Sequence, residues 1–251
     1  MFNFFVDDNS RQGDLFHIEG SDYNHIRNVL RMKPGDTFLV SCNGVSCLCE
    51  LEQAEDGIAV ARIVEEDYQN TELPIRIYLF QGLPKSDKME LIIQKTVELG
   101  VSGIIPVEMK RCVMKLDEKK KKPRQARWQA IAESAAKQSK RNLIPEVFDV
   151  LSYKQAIEKA AEMDLFLLPY ENERGMAATK DALAQLKPGM SVGILIGPEG
   201  GFDPKEVTQA QEAGALSISL GSRILRTETA AITSVGMCML HTELHLGEDA
   251  E

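Results

Sequence analysis

The chain has 251 residues, of which 43% are hydrophobic and 27% charged, a composition typical of a globular protein with one large or two smaller domains. No apolar stretch approaches the ~20 residues of a membrane helix, and the N-terminal sequence MFNFFVDDNSRQGD lacks the features of a signal peptide, so we expect a cytoplasmic protein. The net charge of −9 argues against a protein that coats nucleic acid indiscriminately.

The first 70 residues predict a small β-barrel with one helix. Residues 37–53 alternate apolar and polar side chains around the pair Asn43-Gly44, which is typical of a β-hairpin, and residues 57–66 predict a further strand. The helix is predicted over residues 21–32, with Ser21 as its N-cap and an apolar face made by Tyr23, Ile26, Val29 and Leu30.

Three cysteines fall within the predicted hairpin, at positions 42, 47 and 49. Their spacing matches no familiar zinc site, and no histidine lies near them in sequence. Buried reduced thiols are therefore favoured over a metal site, and no metal is expected.

From residue 74 onwards, strands alternate with helices, a pattern typical of an α/β domain with a parallel sheet. Residues 67–74 form a polar linker that ends on Pro74, so we predict one domain over 1–70 and a second over 74–251. Strands are predicted at 75–83, 102–109, 145–150, 164–171 and 191–196, and helices at 86–100, 126–140, 152–163, 176–186 and 203–214.

Residues 110–141 contain twelve Lys or Arg and only three acidic residues, although the chain as a whole is acidic. The predicted helix follows the lysine run 119–122. Such a concentrated basic segment indicates one localised anionic partner, or else a solvated lysine loop with no partner.

Residues 195–202, LIGPEGGF, place three glycines and Glu199 between a strand and a helix. Asp203 as N-cap and Glu206 at N3 predict a capping box at the start of that helix, with Pro204 at N1. A glycine turn before a helix often binds phosphate, but neither G-x-x-x-x-G-K-[ST] nor G-x-G-x-x-G is present. Since the Glu199 carboxylate would repel a phosphate, we predict a neutral or cationic ligand.

A second glycine turn begins at Gly221, followed by an irregular loop and a helix that starts near Glu228. Neighbouring strand ends with irregular loops form the crevice in which open α/β sheets bind ligands. The alternative is that both segments are simply tight turns.

Together, GPEGG (197–201) and LGSRILRTETA (220–230) resemble the cofactor-binding knot of the SPOUT superfamily of methyltransferases. The whole chain resembles the bacterial RsmE family, which methylates N3 of a uridine in 16S ribosomal RNA. The resemblance also rests on the segments 25–36, 82–107, 111–116 and 127–147. The sequence departs from the family pattern at Asn3, Asn24 and Cys112, positions at which the resemblance implies RNA contacts.

This resemblance implies a PUA-like N-terminal β-barrel, a C-terminal α/β domain with a trefoil knot, a homodimer and the cofactor S-adenosylmethionine. The cofactor-binding residues that it implies are Leu168, Gly197, Glu199, Gly200, Gly201, Leu220, Gly221, Ile224, Leu225 and Thr229. Thr229 is expected to hold the start of the last helix.

The resemblance also makes Arg226 the candidate catalytic residue, because a fixed guanidinium could stabilise negative charge on the uracil oxygens. Arg226 could equally bind an RNA phosphate or the cofactor carboxylate. The expected RNA-binding residues are His25, Arg27, Arg31, Lys33, Lys85, Arg111, Lys119, Lys120, Lys121, Lys122 and Arg141. Two other functions stay open, a SPOUT enzyme for transfer RNA and a non-catalytic RNA-binding assembly factor.

Overall fold

The structure is a computed structural model that describes residues 1–85 and 87–246. The chain divides into two compact units, residues 1–72 with 136–144 and residues 73–135 with 145–251. The predicted domain boundary assigned residues 136–144 to the second domain. The structure groups them with the first, because Arg141 Nε donates to Glu72 Oε1 at 2.8 Å and the Asn3 amide donates to the Arg141 carbonyl at 3.0 Å.

The first unit contains one six-stranded sheet with the order β1-β4-β5-β6-β3-β2. All of its strand pairs are antiparallel except β1 with β4. Two register shifts in β5 bend the sheet, as β-bulges do. The strands are β1 Asn3–Val6, β2 Arg11–Gln12, β3 Leu15–Ile18, β4 Thr37–Cys42, β5 Val45–Glu55 and β6 Ile58–Glu65.

The predicted hairpin is confirmed, with Asn43 and Gly44 both at positive φ in the turn between β4 and β5. The predicted helix is only partly correct. The α-helix α1 spans Gly20–Asn24 with Glu19, not Ser21, as its N-cap, and it continues as a π-helical turn over His25–Val29. This wider turn directs Val29 to solvent, where it is 62% exposed, while Ile26 is buried.

The three cysteines of the hairpin are buried, as the sequence predicted, and lie among the aromatic and aliphatic side chains of this unit's core. Within residues 1–85 and 87–246, no group of three or more His, Cys, Asp or Glu side chains is placed to hold a metal ion.

The second unit contains a sheet in which every strand pair is parallel, with the order β10-β8-β7-β12-β11-β13 and β9 beside β8. Its strands are β7 Arg76–Gly82, β8 Gly103–Glu108, β9 Glu146–Val147, β10 Leu151–Ser152, β11 Leu165–Pro169, β12 Ser191–Ile196 and β13 Leu216–Ile218. The helices are α2 Lys88–Glu98, α3 Glu118–Ser139, α4 Tyr153–Ala160, α5 Ala177–Leu183, α6 Pro204–Glu212 and α7 Thr227–His245. Residues 136–139 of α3 belong to the first unit. The strand-helix alternation predicted from residue 74 onwards is therefore confirmed.

The lysine run lies inside helix α3, which corrects the predicted helix start at residue 126. The helix begins at Glu118, so the lysines lie on its first turns and do not form a loop. Trp128, farther along the same helix, is 1% exposed and anchors it in the core. No helix in the described part of the chain combines the length and hydropathy needed to cross a membrane.

Strand order places three loops at the same edge of the parallel sheet. β12 pairs with β7 on one side and with β11 on the other, and β11 pairs with β13. Because these strands are parallel, their carboxyl ends lie at the same edge of the sheet, and the loops after β11, β12 and β13 all leave from that edge. The two glycine turns therefore leave from the same edge of the sheet, but their strands β12 and β13 are separated by β11 and are not the neighbouring strands that the sequence predicted.

Candidate functional site

The loops at the carboxyl edge of the parallel sheet enclose a cavity of about 450 Å³. The glycine turn after β12 lines it together with the loops that follow β11 and β13 and the first turn of α7. Lys88, at the start of α2, also lines it. Backbone amides and carbonyls at strand ends and a few charged side chains therefore surround one concave space, as in small-molecule sites of α/β proteins.

The glycine turn makes close contacts with neighbouring segments at two points. A Cβ atom on Gly82, at the end of β7, would lie 2.8 Å from the backbone nitrogen of Pro198. A Cβ atom on Gly200 would lie 3.0 Å from the Cβ of Arg111. Behind the turn, Arg111 Nη1 donates to the Gly200 carbonyl at 3.0 Å. These contacts fix the turn that forms one wall of the cavity.

Helix α6 begins with the capping box that the sequence predicted. Asp203 accepts from the Lys205 amide, and Glu206 accepts from the Asp203 amide at 2.9 Å. Lys110 Nζ lies 2.7 Å from Asp203 Oδ2, and the hydrogen bond to this ammonium holds the pKa of that carboxyl below its usual range. Since the Asp203 and Glu206 carboxylates already accept from these amides, they are not available to a phosphate.

A buried hydrogen-bond chain joins the glycine turn to the start of α7. The Thr227 hydroxyl donates to the Gly197 carbonyl at 2.6 Å and accepts from Gln81 Nε2 at 2.9 Å. Gln81 is completely buried at the end of β7. Thr229 was predicted to hold the start of this helix, but its side chain is exposed, and Thr227 makes the contact instead.

Glu199, Lys88 and Glu228 form a charge cluster at the cavity wall. Lys88 Nζ lies 3.2 Å from Glu199 Oε1 and 3.3 Å from Glu228 Oε2. Desolvation opposes the charged form of Glu199, but hydrogen bonds from the backbone amides of Lys85 and Glu199 and from Lys88 outweigh it, and its pKa is lowered. For Lys88, desolvation is likewise outweighed by the two carboxylates, and its pKa is raised. Both shifts favour the charged forms of Glu199 and Lys88.

Eight of the residues implied for the cofactor or for catalysis line the cavity: Gly197, Glu199, Gly201, Leu220, Gly221, Ile224, Leu225 and Arg226. Ile224 is 87% exposed at its rim. Leu168 is fully buried in β11, and Gly200 packs against Arg111. The structure therefore brings together residues that are separated by more than twenty positions in the sequence.

The cavity is also lined by residues that the sequence analysis did not assign to the cofactor. Lys88 lies at the start of α2, while Tyr170, Glu171 and Glu173 follow β11. The position of Glu171 after a buried strand was a usable signal, because its loop had to leave from the same sheet edge.

Most of the predicted RNA-binding side chains are exposed. In the first unit, His25, Arg27, Arg31 and Lys33 are exposed on and just after the π-helical turn. In the second unit, Lys85, Arg111, Lys119, Lys120 and Lys122 are exposed, and Lys121 pairs with Glu108 at 3.3 Å.

Arg141 does not present its guanidinium to solvent, which corrects its assignment as an RNA contact. Its side chain is 4% exposed, and Nε lies within 3.0 Å of both oxygens of Glu72. Asn3 and Cys112, where the sequence departs from the family pattern, are also buried. These three positions support the fold and are not exposed contact residues.

The chain matches two family models. Residues 71–239 match the RNA methyltransferase domain, and residues 18–64 match the RNA methyltransferase PUA domain. Ribosomal RNA small subunit methyltransferase E of Bacillus subtilis (strain 168) is 38% identical over 255 residues, which cover 99% of this chain and 100% of that protein. The chain belongs to the methyltransferase E family.

A second relative and a solved structure extend this match. The methyltransferase E of Mesomycoplasma hyopneumoniae (strain 232) is 36% identical, over 95% of this chain and 99% of that protein. The crystal structure of the methyltransferase E from Neisseria gonorrhoeae bound to S-adenosyl methionine is 32% identical, with a TM-score of 0.80 over 96% of this chain and 97% of that chain. The resemblance stated from the sequence is confirmed, as is the mixed α/β fold.

Proposed function

We propose that this protein is an S-adenosylmethionine-dependent methyltransferase that modifies N3 of a specific uridine in the 16S ribosomal RNA of the small subunit. The observation that carries the proposal is the cavity between the two glycine turns, with a carboxylate in its wall. It occurs in a chain of the methyltransferase E family, and the Neisseria gonorrhoeae member of that family was solved with S-adenosyl methionine.

The residues present fit this cofactor. A volume of about 450 Å³ suits a small organic ligand. Glu171, Glu173 and Glu199 line the cavity, which disfavours a phosphorylated ligand and tolerates a sulfonium. The glycine turn, Leu220 and Leu225 would hold the cofactor with backbone and apolar groups. When bound, the cofactor supplies the electrophilic methyl group, and the protein positions the reactants.

Arg226 is the proposed catalytic residue. It is exposed, lines the cavity and immediately precedes α7, so the Thr227 hydrogen bonds fix its backbone. A guanidinium at this place can stabilise the negative charge that develops on the uracil oxygens as N3 loses its proton. The competing role, binding an RNA phosphate or the cofactor carboxylate, predicts weaker binding and not a slower transfer when Arg226 is removed.

The proposed RNA substrate is bound by exposed cations on both units. N3 lies on the Watson–Crick edge of uracil, so the target base must be unpaired or flipped out of a helix. Exposed side chains at and after the π-helical turn lie within or next to the segment that matches the PUA family model. The lysines of α3 add sequence-independent phosphate contacts.

We further propose that the protein works in the cytoplasm as a homodimer and that its second unit contains a trefoil knot. The family resemblance supports these three properties. Gel filtration with light scattering tests the dimer directly, because the two assembly states differ twofold in mass.

The decisive experiment is methylation of 16S RNA that lacks modifications, followed by mass spectrometry of the digested product. We expect one methyl group at N3 of one uridine. Methylation of transfer RNA in its place would support the transfer-RNA enzyme. Failure to bind S-adenosylmethionine in calorimetry would support a non-catalytic assembly factor.

A further inference from the structure

The start of α2 brings a lysine into the cavity between two carboxylates. Lys88 Nζ lies 3.2 Å from Glu199 in the glycine turn and 3.3 Å from Glu228 in the first turn of α7. The side chain of Lys88 is 29% exposed and lines the cavity, while that of Glu228 is 14% exposed. A cation that only neutralised these carboxylates would not need to reach the cavity surface.

An ammonium group has three N–H donors in tetrahedral directions. The Lys88 ammonium lies within 3.3 Å of one oxygen each of Glu199 and Glu228, and within the described residues Nζ makes no other ion pair or hydrogen bond. One donor therefore remains for a ligand in the cavity. Its direction is limited because the two carboxylates lie on separate elements, the glycine turn, where Glu199 accepts from the Lys85 amide, and the first turn of α7.

We propose that Lys88 is a second catalytic residue, which donates its free N–H to a carbonyl oxygen of the uracil and stabilises the N3 anion. This inference rests on the proposed function. In the step it assists, the N3–H bond breaks and the proton leaves to water. The N3 electron pair then forms the bond to the methyl carbon as the carbon–sulfur bond breaks, and the electron pair of that bond stays on sulfur. Lys88 keeps its proton throughout.

Two carboxylates beside one ammonium give this arrangement a further property. They hold the ammonium in one position before the substrate arrives, so little reorganisation is needed when charge develops on the base. One lysine and two glutamates give the cluster a formal charge of −1, which keeps the site compatible with a cationic methyl donor. A lone lysine would lack the fixed position and would repel that donor.

The test is Lys88→Met, which removes the ammonium and keeps the length of the side chain. Lys95→Met is the matched control, because Lys95 lies on the same helix and pairs with Glu98 at 2.8 Å, outside the cavity. At saturating RNA and cofactor we expect Lys88→Met to slow single-turnover methylation at least a hundredfold. The dissociation constant of S-adenosylmethionine should stay within about threefold, and Lys95→Met should react like the unsubstituted protein.

Two further measurements separate donation to the substrate from a purely structural role. RNA with 5-fluorouridine at the target has a more acidic N3–H. Lys88→Met should therefore methylate this RNA at least tenfold faster than it methylates RNA with uridine at the target. The double variant Lys88→Met/Glu228→Gln removes the uncompensated charge, and it should remain as slow as the single variant. Full recovery in the double variant, or no recovery with 5-fluorouridine, overturns the proposal.

The outcome for the proposed function is read separately. If the unsubstituted protein places no methyl group on N3, the proposed function fails. If the unsubstituted protein methylates N3 and Lys88→Met reacts at the same rate, only the role of Lys88 fails.

Discussion

Two cationic regions of the second unit differ in how their charges are held. At the cavity, Lys88 lies between Glu199 and Glu228 at 3.2 and 3.3 Å. On the first turns of α3, Lys119, Lys120 and Lys122 are exposed, and Lys120 is 72% exposed although it pairs with Asp117. A fixed, partly desolvated charge can act on one atom, whereas exposed charges attract any nearby anion and are screened by salt.

The basic stretch 110–141 contains exposed lysines and one buried cation, Arg141. Substitution of Arg141 should have the largest effect on stability. Arg141→Met should leave Glu72 partly buried without its partner, which costs about 3–5 kcal/mol of unfolding free energy. Urea unfolding measures this loss. RNA binding by the folded variant should keep its salt dependence. A smaller slope of log affinity against log salt in this variant would show that Arg141 contacts RNA.

The wall of the cavity gives the second test. Thr227→Val keeps the side-chain shape but removes the hydroxyl that joins Gly197 to Gln81. Since a buried carbonyl and a buried amide lose their partner, we expect a loss of about 2–4 kcal/mol in unfolding free energy and weaker S-adenosylmethionine binding.

Thr229→Val is the matched control, because this threonine lies two residues away and is exposed. It should change stability by no more than about 0.5 kcal/mol. Equal effects of the two substitutions would contradict the assignment of the helix start to Thr227.

Substitution of Arg226 tests whether a second cation at the cavity, its guanidinium, stabilises charge on the uracil oxygens. Arg226→Ala should lower the methyl-transfer rate more than a hundredfold, or about 2.7 kcal/mol of transition-state stabilisation, since each tenfold change is about 1.4 kcal/mol. Cofactor affinity measured by calorimetry should stay within about threefold. Equal losses in rate and affinity would make Arg226 a binding residue.

The exposed lysines should show the smallest effect and the strongest salt dependence. Lys119→Glu/Lys122→Glu should weaken RNA binding about tenfold at low salt and reduce the slope of log affinity against log salt by about 1.5, as for two lost phosphate contacts. Lys180→Glu/Lys187→Glu changes the net charge equally at exposed positions elsewhere in this unit. An unchanged slope in Lys119→Glu/Lys122→Glu would show that the lysines of residues 119–122 form a solvated helix face without an RNA contact.

Local sequence was enough for features that depend on neighbouring residues. The hairpin at Asn43-Gly44 and the capping box of Asp203 and Glu206 are confirmed, because turn and cap preferences act within four residues. The helix at 21–32 was less predictable. Its spacing fits an α-helix as well as it fits the observed α-helical and π-helical turns, and the exposure of Val29 distinguishes them.

By itself, the sequence determined the order of strands and helices, the acid in the first glycine turn and the family, since each resides in contiguous segments of the chain. Only the tertiary structure decided which charges are paired. Lys88 and Glu228 are far apart in sequence, as are Arg141 and Glu72, yet they lie within hydrogen-bonding range or close to it. The physical reason is that pairing depends on strand order and helix packing, which bring distant positions together and leave no trace in local composition.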